Sequence, residues 1–449
     1  MTLTSFMLKS GTAGIEKMRN QIILAMLTLT LSLFSCGVND NRNKTDVTTD
    51  TNTDTGTGTD TGTQTDTNSD TPEKCNEDNS AVMEGTHPHV NFKWKFETGL
   101  WKINYPPIVM GNQVFAVSEN NTLYALDRTT GSLNWSFQVP GTITKEPDFP
   151  KSLIVNPTDG ILYIAGPVYK YYALNAADGS IRWEKSLTTG LQYKVRMPLL
   201  KDGTLYIPEA YSWILRDRKA VLHAVDAVTG VTKWTYTSDN YWLGTPSIEG
   251  AKLYLAGIWD GPPNEDNEGH KLWAYGLDLA SCQVGNCIVD WTFHSGDGRV
   301  KTLYSNGGIT SYLGYEDYVV GIRQTDGVEA WRFYTGNWSH EFAGAGDEIY
   351  VGSANNRVYR IDNQTGVKVW EYRTGCKPMN YNTQSPVVVG DVVYAFLLGT
   401  HNIIAIDRAT GAFLWNAPLG IESGGKPNFD GNMIFMGDVN GTVWAYDFK

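Results

Sequence analysis

The stretch ALDRTTGSLNW, from Ala125 to Trp135, combines a short apolar strand, a tight turn and a second strand that carries a tryptophan. Asp127 precedes the turn and Gly131 ends it. The same phrase returns at intervals of about 40–57 residues, which is the repeat length of β-propeller blades. The copies span Ala173–Trp183, Ala224–Trp234, Gly276–Trp291 (with a longer turn), Gly321–Trp331, Arg360–Trp370 and Ala405–Trp415.

Each part of the phrase has a local physical role. The carboxylate or amide before the turn accepts backbone N–H groups, and the glycine adopts the positive φ that a tight hairpin needs. The tryptophan keeps the same position relative to the turn, so we expect it to pack between neighbouring blades with its indole N–H bound to a backbone carbonyl. The alternative is that the rings form stacking platforms for a ligand.

The number of tryptophans predicts a closed ring. Seven copies end in a tryptophan, and the chain then ends in three further strands without a fourth. The segment Phe92–Phe96 (FKWKF) matches the missing strand. We therefore predict an all-β fold over residues 89–449, an eight-bladed β-propeller of four-stranded antiparallel blades, closed by N- and C-terminal strands that share one blade. The docking tryptophans are Trp94, Trp135, Trp183, Trp234, Trp291, Trp331, Trp370 and Trp415.

Residues 1–36 have the pattern of a bacterial lipoprotein signal. Lys17 and Arg19 precede an apolar run, IILAMLTLTLSLF, that is short for a membrane span. The run ends at Ser35-Cys36, which resembles a lipobox and implies lipidation of Cys36 after cleavage. Gly37 in place of Asp then indicates the outer membrane. The alternative is a plain secretory signal with an incidental cysteine.

Residues 37–88 are expected to be a disordered, Thr/Asp-rich tether, because they offer almost no apolar side chain to a core. The formal net charge of −12 argues against nucleic acid as a partner. The expected location is the outer membrane, with the protein lipid-anchored on the periplasmic face or at the cell surface.

The A-x-D-x-x-T-G-x-x-x-W phrase resembles the tryptophan docking motif of quinoprotein-like (PQQ-repeat) propellers. One branch of these proteins comprises dehydrogenases that use pyrroloquinoline quinone (PQQ) and calcium. Another is the propeller lipoprotein of outer-membrane β-barrel assembly, which has no cofactor. The five cysteines include no adjacent pair, and no haem C-x-x-C-H motif is present. The resemblance to the assembly lipoprotein implies no catalytic residue, metal or cofactor; PQQ and calcium are expected only in the dehydrogenase alternative.

Two segments and two insertions are the candidate partner-binding sites. In the assembly family, contacts come from loops after the tryptophan strand in neighbouring blades, which correspond here to Leu191–Arg196 and Asp239–Leu243. The insertions Tyr211–Arg218 and Trp259–Gly269 follow the second strands of consecutive repeats, so we expect them side by side as an apolar patch. The candidate residues are Tyr193, Val195, Arg196, Trp213, Ile214, Leu215, Trp242 and Trp259. The alternatives are that these loops fold back on their own blades, and that the acidic second insertion binds calcium.

Cysteine spacing adds one further prediction. Cys282 and Cys287 flank the expanded turn SCQVGNC, and a small disulfide there suits an oxidising periplasm. Cys75 and Cys376 are then left to pair with each other.

These features predict a non-enzymatic, lipid-anchored scaffold that binds outer-membrane or envelope proteins, with outer-membrane protein assembly as its process. The first alternative is a PQQ-dependent periplasmic dehydrogenase. The second is a surface adhesion or glycan-binding lipoprotein, which the long tether favours.

Overall fold

The computed structural model describes residues 88–99, 101–141, 153–166, 170–187, 193–195, 197–211, 219–238, 242–259, 271–285, 287–297, 303–313, 317–337, 339–374, 386–397, 401–423 and 425–448. These residues form β-strands and one short helix, α1 (Leu279–Gln283). The strands make eight antiparallel sheets, which are the blades of one ring. The prediction of an all-β, eight-bladed propeller is therefore confirmed.

The strands are numbered along the chain, and the first of them, β1 (Val90–Glu97), belongs to blade 8. Blade 1 contains β2 (Ile108–Met110), β3 (Gln113–Val117), β4 (Thr122–Asp127) and β5 (Leu133–Gln138). Blade 2 contains β6 (Leu153–Asn156), β7 (Ile161–Ala165), β8 (Lys170–Asn175) and β9 (Ile181–Ser186). Blade 3 contains β10 (Tyr193–Val195), β11 (Leu199–Lys201), β12 (Thr204–Tyr211), β13 (Ala220–Asp226) and β14 (Thr232–Ser238). Blade 4 contains β15 (Trp242–Leu243), β16 (Ser247–Glu249), β17 (Lys252–Trp259), β18 (Lys271–Asp278) and β19 (Val289–Asp297).

The second half of the ring has the same order of strands. Blade 5 contains β20 (Leu303–Asn306), β21 (Ile309–Leu313), β22 (Tyr318–Arg323) and β23 (Glu329–Tyr334). Blade 6 contains β24 (Ser339–Gly344), β25 (Glu348–Ser353), β26 (Arg357–Asp362) and β27 (Lys368–Arg373). Blade 7 contains β28 (Val387–Val389), β29 (Val392–Leu397), β30 (Asn402–Asp407) and β31 (Phe413–Pro418). Blade 8 contains β32 (Asn428–Asp430), β33 (Met433–Gly437), β34 (Thr442–Phe448) and β1.

Blades 3 and 4 differ from the expected four strands because their first strand is divided. β10 and β11 both pair with β12, and β15 and β16 both pair with β17. Pro198 lies between the two parts in blade 3, and Pro246 lies between them in blade 4. Proline has no backbone N–H to donate to a ladder, so each proline accounts for the interruption.

The ring closes in blade 8, as predicted. β1 pairs with β34 in antiparallel register, with Trp94 opposite Ala445 and Phe96 opposite Val443. In other blades the first residue of the repeated phrase pairs with the tryptophan in the same way, for example Ala125 with Trp135 in blade 1. The strand near the start of the folded part therefore completes the sheet that the last three strands begin.

The hydrophobic core lies between the blades. The buried apolar side chains form eight clusters, and each cluster joins two neighbouring blades. One of them packs Phe435 and Val443 of blade 8 against Val114 and Leu126 of blade 1. The stability of the ring therefore depends on contacts around its whole circumference.

Six of the docking tryptophans pack on the turn glycine of the next blade. Trp331 of blade 5, for instance, lies so close to Gly366 of blade 6 that a Cβ at this glycine would be 2.6 Å from the ring. Gly366 also has a φ of +71°, which favours glycine. The six pairs are Trp94–Gly131, Trp135–Gly179, Trp183–Gly230, Trp291–Gly327, Trp331–Gly366 and Trp370–Gly411.

Each of these six indoles donates its Nε1–H to a backbone carbonyl in the same turn. The Trp94 indole, for example, donates to the Arg128 carbonyl at 2.9 Å. The other acceptors are the carbonyls of Ala176, Ala227, Gln324, Asn363 and Arg408. Acidic residues stabilise the turns by accepting hydrogen bonds within them. Asp226 Oδ1, for example, accepts the backbone N–H (2.9 Å) and the hydroxyl (2.9 Å) of Thr229. These hydrogen bonds, led by that from the Thr229 N–H, lower the pKa of Asp226.

Trp234 and Trp415 have different partners, because blades 4 and 8 lack the short glycine turn. Trp234 packs in one cluster with Cys282 of α1, a residue that is fully buried. Trp415 stacks on His89, with ring centroids 5.2 Å apart and planes 5° from parallel. A helix and a histidine thus take the place of the turn glycine at these two junctions.

Candidate functional site

Blades 3 and 4 are lengthened at one end. Thr204–Tyr211 and Lys252–Trp259 each span 8 residues, whereas the corresponding strand of blade 1, Gln113–Val117, spans 5. The extra length leads to the two insertions, which connect the second and third strands of these blades. In an up-and-down sheet this connection and the link from the fourth strand to the next blade leave from the same end. β10, β15 and the lengthened ends of β12 and β17 therefore belong to one face of the ring.

The structure places each family-derived segment beside the base of an insertion. Tyr193 pairs with Tyr211, and Val195 pairs with Glu209. In blade 4, Trp242 pairs with Ile258, next to Trp259. The described parts of these segments are therefore strands, β10 (Tyr193–Val195) and β15 (Trp242–Leu243), rather than the loops that the resemblance implied, because the lengthened second strands give them a partner.

The two lengthened blades meet at this end. β15 of blade 4 lies against β12 and β13 of blade 3, and Leu243 of β15 is fully buried in the cluster between the two blades. β10, which contains Tyr193 and Val195, and β15, which contains Trp242, thus both contact β12, and Trp259 ends β17, the strand that pairs with β15. Arg196, Trp213, Ile214 and Leu215 lie outside the described residues, as does Cys36.

A buried polar pair lies near the end of β12 in blade 3. Glu209 Oε2 is 2.8 Å from His223 Nε2, and the two side chains are 0% and 8% exposed. The other carboxylate oxygen of Glu209 is buried and has no hydrogen-bond partner among the described residues. This pair was not predicted from the sequence, although Glu209 continues the alternation of Leu205 and Ile207, whose fully buried side chains face inward.

The opposite end of blade 4 contains the cysteine pair. Cys282 and Cys287 form a disulfide across the expanded turn. Asp278 caps α1, because its Oδ1 accepts the Ser281 backbone N–H at 2.7 Å, and this bond, followed by that from the Lys252 ammonium, lowers the pKa of Asp278. The disulfide therefore closes the turn that packs against Trp234. Cys75 and Cys376 lie outside the described residues.

The residues that the structure describes include no group of three or more His, Cys, Asp or Glu side chains placed to hold a metal ion. Nor do they contain a helix with the length and apolar character needed to cross a membrane.

The comparisons with known proteins match nearly the whole of the propeller sequence. The family described as "Outer membrane protein assembly factor BamB" matches residues 90–190, 150–257, 172–306, 263–399 and 395–449. Outer membrane protein assembly factor BamB of Moranella endobia (strain PCIT) is 23% identical over 355 residues, which are 76% of this chain and 84% of the relative.

Solved structures show the same fold at lower identity. The crystal structure of BamB from Moraxella catarrhalis matches with a TM-score of 0.56 and 14% identity, covering 80% of this chain and 98% of the other. A europium-containing methanol dehydrogenase matches with a TM-score of 0.60 and 13% identity, covering 80% of this chain and 93% of the other. These two likenesses concern the fold alone. The family match, in contrast, spans the described propeller, and on that ground this chain belongs to the outer membrane protein assembly factor BamB family.

Proposed function

We propose that this protein is a non-enzymatic scaffold that binds envelope proteins and takes part in the assembly of outer membrane proteins. The observation that carries the proposal is the family match over residues 90–449. The BamB relative of Moranella endobia carries the same function in its name and is matched over most of its length. Interblade packing by the tryptophans, rather than a ligand held on their rings, suits such a scaffold.

The partner-binding surface in this proposal is the lengthened end of blades 3 and 4. Tyrosine, tryptophan and arginine are the residue types that contribute most to binding at protein interfaces, and the candidate set there is rich in them. β10 and β15 hold the candidate residues Tyr193 and Trp242 beside the bases of the two insertions. A partner that contacts both blades would bury these side chains together with those of the insertions.

Anchoring by a lipid on Cys36 is the second part of the proposal. The lipobox pattern supports it, and each buried methylene of an acyl chain adds about 0.8 kcal/mol of membrane affinity. A flexible tether over residues 37–88 would average about 40 Å from end to end, so the propeller could reach partners away from the bilayer. Mass spectrometry of the membrane-extracted protein should show an acylated Cys36, and C36S should move the protein to the soluble fraction.

Crosslinking in intact cells, followed by affinity purification, tests the scaffold. The full chain should recover a β-barrel assembly protein, and W213A combined with W259A should reduce that recovery at least severalfold. The matched control is W101A, because Trp101 is 47% exposed in the link between blades 8 and 1. Equal recovery with W213A/W259A and with W101A would show that the assigned surface is not the binding site. Failure of the unaltered chain to recover any β-barrel assembly protein would refute the assembly function.

A dye-reduction assay addresses the dehydrogenase alternative. Purified protein is supplied with pyrroloquinoline quinone and calcium and offered alcohols and sugars. The scaffold proposal expects no turnover above protein-free controls, and sustained dye reduction that depends on the protein would replace it.

A further inference from the structure

An open cavity of about 540 Å³ lies in the wall of the ring at blades 6, 7, 8 and 1. Its apolar lining comes from the first strands of these blades or the residues just before them, including Ala343, Val387 and Pro427. Pro106 of blade 1 completes this lining. The cavity is thus lined by residues in or beside the first strands of four successive blades. Its volume falls in the range of roughly 300–1,000 Å³ that is typical of small-molecule sites.

Two basic side chains, Arg408 and Lys426, also line this cavity. Arg408 follows β30 of blade 7 and reaches across to blade 6, where its Nε donates to Glu348 Oε2 at 2.8 Å and to the Tyr350 hydroxyl at 3.1 Å. Its Nη1 donates to the Gly390 carbonyl at 3.1 Å. The remaining three N–H groups of its guanidinium have no acceptor among the residues that the structure describes.

The cluster behind the cavity contains more cations than anions. Arg360 forms an ion pair with the other carboxylate oxygen of Glu348, so one carboxylate serves two guanidinium groups. Burial alone would raise the pKa of Glu348, but the Tyr350 hydroxyl and the two arginines lower it, so this carboxylate is ionised at neutral pH. In the part of the chain that the structure describes, the buried Nε of Arg360 has no acceptor. Arg360, Arg408 and Glu348 together therefore carry an excess of one positive charge.

We propose that this cavity is a binding site for a small organic carboxylate with an aliphatic body. The carboxylate would pair with the unused N–H groups of Arg408, because a guanidinium fork matches a carboxylate in two parallel hydrogen bonds. The aliphatic body would lie against Ala343, Val387 and the prolines of the wall. The described lining contains no aromatic ring, so the site is not built to stack a flat aromatic ligand.

Ligand-observed NMR titration of the full chain tests this site, with hexanoate, hexanol and hexylamine as probes of one body and three head groups. Hexanoate should bind, whereas hexanol and hexylamine should bind at least tenfold more weakly. R408Q should weaken hexanoate binding by about ten- to a hundredfold, the loss expected for a charge-assisted hydrogen bond. K426Q should weaken it less and leaves the contacts of Glu348 in place.

The matched control is R332Q, because Arg332 pairs with Glu329 on the outer strand of blade 5, away from the cavity. It should leave hexanoate binding unchanged, and circular dichroism should show that all three variants are folded. Equal binding of hexanol and hexanoate, unchanged hexanoate affinity in both R408Q and K426Q, or no binding to the unaltered chain would overturn the proposal.

Discussion

Alanine in place of Gly366 tests whether the docking of tryptophan on glycine holds the ring together. Two costs add at this position. The first is the φ of +71°, which costs an L-residue about 1–2 kcal/mol. The second is the contact of 2.6 Å between the new Cβ and the Trp331 ring, and overpacking of this kind costs about 1–3 kcal/mol. G366A should therefore lower the free energy of unfolding by about 2–5 kcal/mol.

Gly346 provides the matched control in the same blade. Its φ is +64°, but a Cβ there would meet nothing within 4 Å. G346A should therefore lose only the backbone cost of about 1–2 kcal/mol. Guanidinium unfolding followed by far-UV circular dichroism gives both values, provided that the slopes with denaturant are unchanged.

A double-mutant cycle identifies the cause of the difference. In a W331L background the indole ring is gone, so G366A should cost no more than G346A does. If G366A and G346A are equally destabilising in the unaltered chain, or if W331L leaves the extra cost of G366A intact, the contact with Trp331 is not what requires glycine, and the account of the blade junctions is wrong.

Three further predictions concern other junctions and turns. C282S/C287S should lower the free energy of unfolding by about 2 kcal/mol, which is the loop-entropy value for so short a closed loop. A reductant should lower the stability of the unaltered chain by a matching amount and should leave that of the variant unchanged. Because the pKa of Asp226 is lowered in the folded state, its stabilising contribution is present above about pH 4, the value of an unperturbed carboxyl, and is lost as pH falls. The free energy of unfolding of D226N should therefore depend less on pH in acid than that of the unaltered chain. An identical pH dependence of the two proteins in acid would contradict the assignment. H223L removes the hydrogen-bond partner of the buried Glu209 carboxyl and should cost about 1–3 kcal/mol in a denaturant melt. E209Q keeps a hydrogen-bonding group and should cost less, and equal losses would show that the pair contributes only packing.

Only part of the candidate interface could be predicted from the sequence. The insertions were visible as extra residues after the second strands, and the family resemblance indicated the segments around Tyr193 and Trp242. Their mutual placement was not visible, because it depends on how far β12 and β17 extend and on which strand pairs with the extension. The cavity beside Arg408 was not found at all, since its lining is contributed by four blades whose residues are far apart in the chain.

The repeat by itself determined the blades, their number and the closure by Trp94, because each of these depends on short-range patterns: a turn glycine with positive φ, an acidic residue that accepts the turn N–H groups, and a tryptophan at constant spacing. The tertiary structure alone decided what happens where the pattern is broken. Trp234 packs against Cys282 and Trp415 stacks on His89 because the ring brings those residues to the two junctions that lack a glycine turn. The buried contact of Glu209 with His223 was decided in the same way, since strand register, and not local sequence, determines which side chains meet across neighbouring strands.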